Sequence, residues 1–366
     1  MYIQQGYRVI LFTDISKPEL EFELPPPSEN FERVNFSTPR SQFLQRLNEF
    51  SSLLEKYRVN LIISHMRAGD FPPFIQFLFC KLSGIKIAME LHGSIKHEDF
   101  RFPKALSYSL SDAVIVLSKT RAKFLKNLGV RSYYIPNPIN LGGANFGGRD
   151  SEKISNTILW VGRISADKNP SAVVPIMKEV VAKIPSAKLK ILGAANNNAA
   201  LQSFRDTIKK NNLEENIKLC GYHADTKKFY ETADVMLNTS PQEGWSLVIA
   251  ESKFYELPLV LYELPDNELT QDAKGCISVA QGDYHAAAQA IIKILTDTEF
   301  RRKLSAQARE SIQPFLNYDI CGAWQNLFDE LEKDSPQIPR NFYNEQILNI
   351  LLEENFFLQQ KVKNST

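Results

Sequence analysis

The sequence predicts an α/β protein with two domains, each built around a mostly parallel sheet. Short runs of apolar and β-branched residues alternate along the chain with segments whose apolar residues recur every three or four positions. The apolar runs are continuous, which is typical of parallel strands buried on both faces by crossover helices. The length of 366 residues exceeds one average domain of about 150. These observations together indicate two doubly wound domains.

Nine apolar runs predict strands, and helical periodicity predicts most of the segments between them. Strands are expected at 7–13, 60–65, 86–92, 113–118, 157–162, 188–193, 217–222, 235–240 and 258–263. Helices are expected at 41–56, 120–128, 170–183, 201–211 and 246–256, and the pattern is wholly helical over 285–331. An amphipathic stretch at 341–362 is expected to pack back onto the fold, because most apolar stripes on helices face a core rather than a partner.

The alternation is interrupted once, by a polar segment at 140–156 that contains four glycines and has no apolar period. Such a segment in the middle of a chain is typical of a linker. We therefore expect a first domain over 1–140, a linker over 141–156, a second domain over 157–332 and a helical extension over 333–366.

The first domain reads as incomplete at its start. A doubly wound domain normally opens with a strand and a Gly-rich turn into a helix, whereas QQGYRV at 4–9 is typical of a helix end followed by a second strand. We therefore expect the first strand and its turn to be missing. The alternative is that YRVILFT at 7–13 is itself the first strand and that the loop after it has diverged.

Composition argues against several functional classes. Lys plus Arg number 43 and Asp plus Glu 42, so a net charge of +1 provides no field that would gather nucleic acid. The longest apolar runs, such as 71–80, are about half as long as the ~20 residues of a spanning helix, and the start lacks the pattern of a secretion signal. We expect a cytoplasmic location. The four cysteines form no Cys-x-x-Cys pair, so they indicate buried thiols rather than zinc or disulfides.

One candidate site follows the strand predicted at 235–240, in the segment NTSPQEGWSLVIAESKFYEL. A turn containing Glu243 and Gly244 leads into a helix that begins near Ser246. The backbone N–H groups of Ser246, Leu247 and Val248 would form an anion site at the helix N-terminus. Glu243 in the turn and Glu251 in the helix could bind hydroxyls on the two sides of a bound phosphate. The alternative, equally favoured by spacing alone, is acidic residues that only stabilise the helix dipole.

A second candidate site follows the strand predicted at 157–162. The loop there contains Gly162, Arg163 and Lys168, and Pro170 begins the next helix. A planar guanidinium and a lysine ammonium together suit a diphosphate. Taken alone, the segment is better explained by two solvated loop cations.

Together these two segments resemble the C-terminal half of family-4 glycosyltransferases, which have the GT-B fold of two facing Rossmann-like domains with a deep cleft between them. The family pattern has Gly-Arg and a downstream Lys, and then two glutamates separated by seven residues, as GWSLVIA separates Glu243 from Glu251. The segments LSDAVIVLSKTRAKFLKNLGV and IPNPIN are similar to the family's first domain. The resemblance covers roughly Gly6 to Leu331.

The resemblance implies a role for each matching residue. Arg163 and Lys168 would neutralise a donor diphosphate, Glu251 would bind the nucleotide ribose, and Glu243 would meet the sugar hydroxyls. It also implies transfer with retention from a nucleotide-diphosphate sugar to a glycan or lipid-linked oligosaccharide. No cofactor and no metal ion are expected, and the sequence shows no His and Asp cluster with metal-ligand spacing. The alternative function is an inactive nucleotide-binding or scaffold protein, which the missing first unit favours.

Histidines provide a weaker signal. His92 ends a predicted strand in MELHGS and matches a histidine that similar enzymes present across the cleft, where it would orient or deprotonate the acceptor hydroxyl. A structural role is equally favoured. Tyr222 and His223 would lie near the nucleotide base, and His97 and His285 have weaker claims.

Two further features bear on partners and on the family pattern. The segment 119–131 carries five basic residues and no acidic one, and Lys119, Lys123 and Lys126 share a helical face, which could contact an anionic membrane or a lipid-linked acceptor. The alternative, a basic face that is only solvated, is the commoner case.

Glu256 stands before Leu257 and Pro258 where the family commonly has a small residue and Gly, which removes the usual helix cap.

Overall fold

The structure, a computed structural model, describes residues 2–13, 25–39, 41–65, 71–93, 104–139, 154–195, 197–264 and 266–333. The strands are β1 Val9–Thr13, β2 Phe31–Asn35, β3 Leu61–Ser64, β4 Lys86–Leu91, β5 Ala113–Val116, β6 Ser132–Tyr134, β7 Thr157–Val161, β8 Lys188–Leu192, β9 Ile217–Gly221, β10 Val235–Asn238, β11 Leu259–Tyr262 and β12 Cys276–Val279. The helices are α1 Phe43–Lys56, α2 Phe71–Leu82, α3 Lys104–Leu110, α4 Lys119–Asn127, α5 Val173–Lys183, α6 Asn198–Lys210, α7 Lys227–Thr232, α8 Leu247–Phe254, α9 Tyr284–Thr296, α10 Thr298–Leu316 and α11 Ile320–Lys333.

The second half of the chain forms a six-stranded parallel sheet in the order β12-β11-β10-β7-β8-β9. Its central strands are fully buried because helices cover both faces, and a separate apolar core lies on each face. The chain runs from β7 outward to β9 and then returns to β10, so the strand order reverses between β7 and β10. In open parallel sheets, ligands bind outside the carboxyl ends of the strands at such a reversal.

The first half of the chain forms two separate parallel groups. The strands β1 and β2 pair with each other, and β3, β4, β5 and β6 form a four-stranded sheet in that order. Phe12 of β1 and Ile62 of β3 both pack into the core around α1, yet the two strands are not hydrogen-bonded neighbours. The first domain is thus divided between β2 and β3. On our expectation of a missing first unit, β1 is the second strand of the domain. The expectation of a missing first unit stays a prediction.

The last described helix returns to the first domain. Trp324, Phe328 and Leu331 of α11 pack against Ala88 of β4 and Ile115 of β5 on the first sheet. The segment that we expect at the end of the second domain therefore covers a face of the first. The predicted linker over 141–156 lies mostly, and the amphipathic stretch at 341–362 wholly, outside the described residues.

All nine predicted strands are present, but the predicted ranges did not include the strands β2, β6 and β12 or the helices α2, α3 and α7. The strand β2 reads FERVN and carries two charged residues, so it shows no continuous apolar run. β6 is only three residues long. Within the described residues, every helix is too short or too polar to cross a membrane.

Candidate functional site

The loops after β7 and β10 bring together the two segments that we singled out from the sequence. Lys168 lies after β7, and its Nζ donates to Oε1 of Glu243, which lies after β10, over 2.6 Å. The side chains are 24% and 10% exposed, so the pair is largely shielded from water. An ammonium and a carboxylate therefore face each other at the reversal of strand order, where a ligand is expected.

A buried hydrogen-bond chain holds Lys168 in place. The indole Nε1 of Trp160 in β7 donates to Oγ1 of Thr239 over 2.9 Å, and that hydroxyl donates to the backbone oxygen of Lys168 over 3.0 Å. The backbone N–H of Ser240 donates to Oδ1 of Asn238, which fixes the start of the second loop. The chain links the two loops beneath the ion pair, so the position of the lysine depends on both strands.

The glycines of the site allow close backbone approach. A methyl group on Gly193, after β8, would overlap the carbonyl oxygen of Gly162, after β7, and Gly193 also has a φ of +139°. A methyl group on Gly244 would overlap the carbonyl oxygen of His92, in the first domain. Gly244 therefore marks the place where the Glu243 turn meets the strand end that carries His92.

Arg163 does not join the Lys168 pair. Its guanidinium donates to Asp167 over 3.0 Å, and both side chains are exposed. A hydrogen bond from Ser165, together with the charge of Arg163, lowers the pKa of Asp167. The structure thus places Arg163 at the rim of the loop, paired with Asp167 and exposed to solvent.

The helix α8 begins directly after the Glu243 turn. Ser246 is its N-cap, with an extended backbone and no capping bond from its side chain. Leu247 is 46% exposed and Val248 is half-buried. The first turn of α8 thus follows the Glu243 turn directly, and the anion site at the backbone N–H groups of that turn stays a prediction.

Glu251 lies inside α8, in a different environment from Glu243. Burial raises the pKa of the Glu251 carboxyl, and the neighbouring Tyr230 hydroxyl opposes that shift. Tyr230 is fully buried and stacks on Tyr255 with ring centroids 5.3 Å apart. The carboxyl of Glu251 is thus a partly desolvated hydrogen-bonding group on a rigid helix, whereas Glu243 is paired with a cation.

His92 belongs to a cluster that the sequence patterns did not reveal. Its Nε2 lies 2.9 Å from Nδ1 of His65, and Glu90 approaches His65 at 3.3 Å and His92 at 3.8 Å. Burial lowers the pKa of His65, as does His92, while Glu90 opposes the shift. Local spacing in the sequence could not reveal this cluster, because His65 stands 27 positions before His92 and the residues meet only through the pairing of neighbouring strands.

Hydrogen bonds between the two domains lie beside this cluster. Arg121 of α4, whose side chain is 7% exposed, donates to the backbone oxygen of Gly93 and to Asp266 of the second domain, each over 2.9 Å. Glu268 accepts a hydrogen bond from the backbone N–H of Lys119 at the start of α4 over 2.6 Å. No sequence pattern pointed to Arg121, because the segment reads only as a basic helix.

The remaining predicted residues have local roles. Nε2 of His223 lies 3.1 Å from the backbone oxygen of Cys220, and its ring packs on Phe229. Tyr222 is 68% exposed. His285 pairs with Glu179 of α5 over 2.8 Å, and His97 lies outside the described residues. The structure does not bring the side chains of Tyr222, His223 or His285 into contact with the Lys168 pair.

Two other sequence features are now placed. The core-facing residues of α4 are Arg121, Ala122 and Leu125. Phe124 and, just after the helix, Leu128 are 46% and 54% exposed among the lysines.

Glu256 adopts a φ of +56° and pairs with Arg309 over 3.1 Å. The salt bridge compensates for a carboxylate at the helix end, which the dipole disfavours.

Comparison with known proteins shows what the chain is similar to. Residues 146–311, which contain the whole Lys168 and Glu243 region, match the family model described as "Glycosyl transferases group 1". The chain is 22% identical over 309 residues to the Campylobacter jejuni "GalNAc-alpha-(1->4)-GalNAc-alpha-(1->3)-diNAcBac-PP-undecaprenol alpha-1,4-N-acetyl-D-galactosaminyltransferase", covering 83% of this chain and 84% of the relative. It is 24% identical over 249 residues to the poly(ribitol-phosphate) alpha-N-acetylglucosaminyltransferase of Staphylococcus aureus, covering 64% of this chain but only 49% of that relative.

Solved structures show the same fold over nearly the whole chain. The HepE protein of Anabaena, solved in complex with UDP and glucose, superposes with a TM-score of 0.69 at 18% identity, covering 90% of this chain and 94% of that one. The predicted fold class is confirmed. The protein therefore has the two-domain α/β fold of the GT-B glycosyltransferases, and its residues 146–311 match glycosyl transferases group 1.

Proposed function

We propose that the protein transfers a sugar, with retention, from a nucleotide-diphosphate sugar to a hydroxyl of a glycan or lipid-linked oligosaccharide in surface polysaccharide synthesis. The observation that carries the proposal is the 2.6 Å ion pair of Lys168 and Glu243 at the reversal of strand order, beside the N-terminus of α8. A relative named for a sugar transfer to an undecaprenol-linked saccharide, another named for a sugar transfer to poly(ribitol-phosphate), and a neighbour solved with UDP and glucose support the same class of donor and acceptor.

The charges of the site suit a diphosphate leaving group. Negative charge grows on the diphosphate as the bond to the sugar breaks, and fixed positive groups lower the barrier by stabilising that charge. Lys168, Arg163 and the N–H groups of Ser246, Leu247 and Val248 would supply this stabilisation. In this proposal they neutralise the diphosphate without a metal ion bridging it.

The two glutamates would divide the polar contacts of the donor. Glu251, on a rigid helix and partly desolvated, would accept hydrogen bonds from the ribose hydroxyls. Glu243 would accept hydrogen bonds from the sugar hydroxyls. Since Glu243 holds Lys168 in the absence of donor, a bound phosphate would draw Lys168 away and leave the carboxylate to the sugar.

The first domain would supply the acceptor side. The backbone of His92 meets Gly244 of the donor turn, so the imidazole lies at the boundary between the two halves of the site. His92 would orient or deprotonate the acceptor hydroxyl.

We also propose that α4 contacts an anionic lipid surface. Phe124 of α4 and Leu128, the C-cap residue, are exposed, lie one turn apart and are flanked by exposed Lys123 and Lys126. Apolar side chains bordered by lysines are the combination that anchors a helix to anionic membranes. Sedimentation with vesicles containing anionic lipid tests this proposal. Binding that is lost in Phe124→Ser with Leu128→Ser supports it, and equal binding by that double variant overturns it.

The transfer proposal is tested by release of nucleoside diphosphate from a panel of nucleotide sugars in the presence of glycan and lipid-linked acceptors. We expect one donor to be consumed, with a loss of about 10²–10³ in rate in Lys168→Ala. Lys209→Ala, an exposed lysine on α6, is the matched control and should retain the rate. The anomeric configuration of the product, read by NMR, tests retention.

Two outcomes would overturn the proposal. One is turnover that Lys168→Ala leaves unchanged, because the diphosphate would then bind elsewhere. The other is binding of nucleotide without transfer across the whole panel, which would favour a nucleotide-binding or scaffold protein.

A further inference from the structure

We propose that His65, Glu90 and His92 form a binding site for a divalent transition-metal ion of the zinc class. The ligand atoms are Nδ1 of His65, one carboxylate oxygen of Glu90 and Nε2 of His92, and they all lie within 4.8 Å of one another. The site goes beyond the proposed function, because the donor diphosphate is assigned to other residues in the other domain.

The fold itself brings the three side chains together. β3 and β4 are parallel neighbours whose register pairs Ser64 with Met89, so the next residues along, His65 and Glu90, are also adjacent. Side chains two positions apart on an extended chain point to the same face, which places Glu90 and His92 together. The cluster thus follows from the strand register and does not depend on a long loop.

The separations match a tetrahedral site. With ligands about 2.0–2.1 Å from zinc, tetrahedral geometry places neighbouring ligand atoms roughly 3.3–3.4 Å apart. The observed separations are 2.9 Å between the histidine nitrogens, 3.3 Å from Nδ1 of His65 to Oε2 of Glu90 and 3.8 Å from Nε2 of His92 to Oε1 of Glu90. These distances lie on both sides of the tetrahedral value, and either carboxylate oxygen is available as the third ligand.

The donor set indicates the class of ion. Two imidazole nitrogens and one carboxylate suit Zn²⁺ and other first-row transition metals, whereas Mg²⁺ and Ca²⁺ prefer oxygen ligands. Three protein ligands also leave a fourth coordination position open. The side chains of His65 and His92 are 57% and 47% exposed, so that position faces solvent. The Glu90 side chain is 11% exposed and would bind the ion from the buried side.

An ion there would affect the proposed chemistry of the acceptor. It would engage Nε2 of His92, the nitrogen that approaches His65, so metal binding and proton acceptance at that atom exclude each other. Because His92 and Gly93 meet the donor turn at Gly244, an occupied site would lie at the boundary of the two domains. The ion's fourth position could then receive an oxygen ligand from solvent or substrate.

The experiment is titration of the full-length, chelator-treated protein with Zn²⁺, followed by calorimetry, and with Co²⁺, followed by its visible absorption. We expect one ion per chain, and four-coordinate Co²⁺ should give an intense visible band that an octahedral ion lacks. His65→Ala and Glu90→Gln should each weaken binding by at least about tenfold. His285→Ala, which removes a histidine paired with Glu179 in the other domain, is the matched control and should bind with unchanged affinity.

Circular dichroism of each variant confirms that it is folded before the titration. Binding that His65→Ala and Glu90→Gln leave unchanged would overturn the proposal, as would less than one ion per chain in the unmodified protein. Nucleotide binding measured on the same samples is independent of this outcome, so a failure of the metal site is distinguishable from a failure of the donor site.

Discussion

Individual residues of the site differ in how well their charge is compensated. Glu243 has Lys168 at 2.6 Å, whereas Glu251 is desolvated and has only a neutral tyrosine beside it. A carboxylate that is buried without a cation costs folding free energy in its ionised form. Such a cost is tolerated where the group serves a ligand, and this contrast supports the ribose contact that we propose for Glu251.

The Glu251→Gln variant tests that contrast through pH. Burial raises the pKa of Glu251 in the folded state, so the folded protein holds its proton to higher pH than the unfolded chain. The wild type therefore loses stability as the pH rises through the interval between the unfolded and the folded pKa, and the glutamine variant does not. We expect the variant to be more stable than the wild type at about pH 7, and the difference to shrink as the pH falls through the folded-state pKa towards the unfolded value of about 4.3, below which it stays constant.

Urea unfolding across this pH range measures the difference. A difference that is the same at every pH would show that the carboxyl is not desolvated in the folded state. The variant should at the same time lose the stabilisation that a bound nucleoside diphosphate gives to the wild type.

Candidate site residues could be predicted from the sequence where each of them directly follows a recognisable strand of the same parallel sheet. Lys168 and Glu243 were predicted in this way, and the structure pairs them. His65 was missed because its partners follow a different strand, and strand register is invisible to local spacing. Arg163 was placed with Lys168 by proximity in sequence, but the structure turns it to Asp167 at the rim.

At the scale of elements, the loops of the second sheet are tied to one another by backbone contacts. Gly193 after β8 touches the carbonyl of Gly162 after β7, and Thr239 after β10 bonds to the loop of Lys168. These contacts hold the ends of β7, β8 and β10 against one another. Apolar runs predicted the strands themselves, whereas the sheet order and these contacts depend on tertiary packing. The charged strand β2 and the short strand β6 lack the pattern that the prediction requires.

The Gly193→Ala variant tests the close approach of these strand ends. A methyl group would overlap the Gly162 carbonyl oxygen, and its φ of +139° disfavours any side chain, so we expect a loss of about 1–3 kcal/mol of stability. Gly93→Ala is the matched control, since a methyl group there meets nothing within 4 Å. Urea unfolding of both variants measures the two costs. Equal, small effects would contradict the close packing of the loops.

At the scale of the whole molecule, two features join the domains. Helix α11 packs on the first sheet through Trp324 and Phe328, and Arg121 bridges Gly93 to Asp266 of the second domain. The sequence predicted two domains and their fold class, because patterns along the chain define separate sheets. It could not predict the bridge, since Arg121 and Asp266 are brought together only by the placement of one domain on the other.

The Arg121→Ala variant tests the bridge. It removes hydrogen bonds from a buried guanidinium to a carbonyl and to a carboxylate, which we expect to cost about 1–3 kcal/mol of stability. Lys227→Ala, which removes an exposed pair with Glu231 on α7, should cost less than about 0.5 kcal/mol. A radius of gyration from X-ray scattering that is larger for Arg121→Ala than for the control would show that the domains separate. Identical stability and radius would contradict the bridge.

The measurement that tests the central claim most directly is thermal unfolding with UDP, GDP, dTDP, ADP and CMP, for the wild type, Lys168→Ala and Lys209→Ala. A ligand at 100 times its dissociation constant stabilises by about 2.7 kcal/mol, which is several degrees for a chain of this size. We predict a shift with one nucleoside diphosphate that Lys209→Ala retains and Lys168→Ala loses. No shift with any nucleotide, or an equal shift in Lys168→Ala, would contradict a diphosphate site at the reversal of strand order.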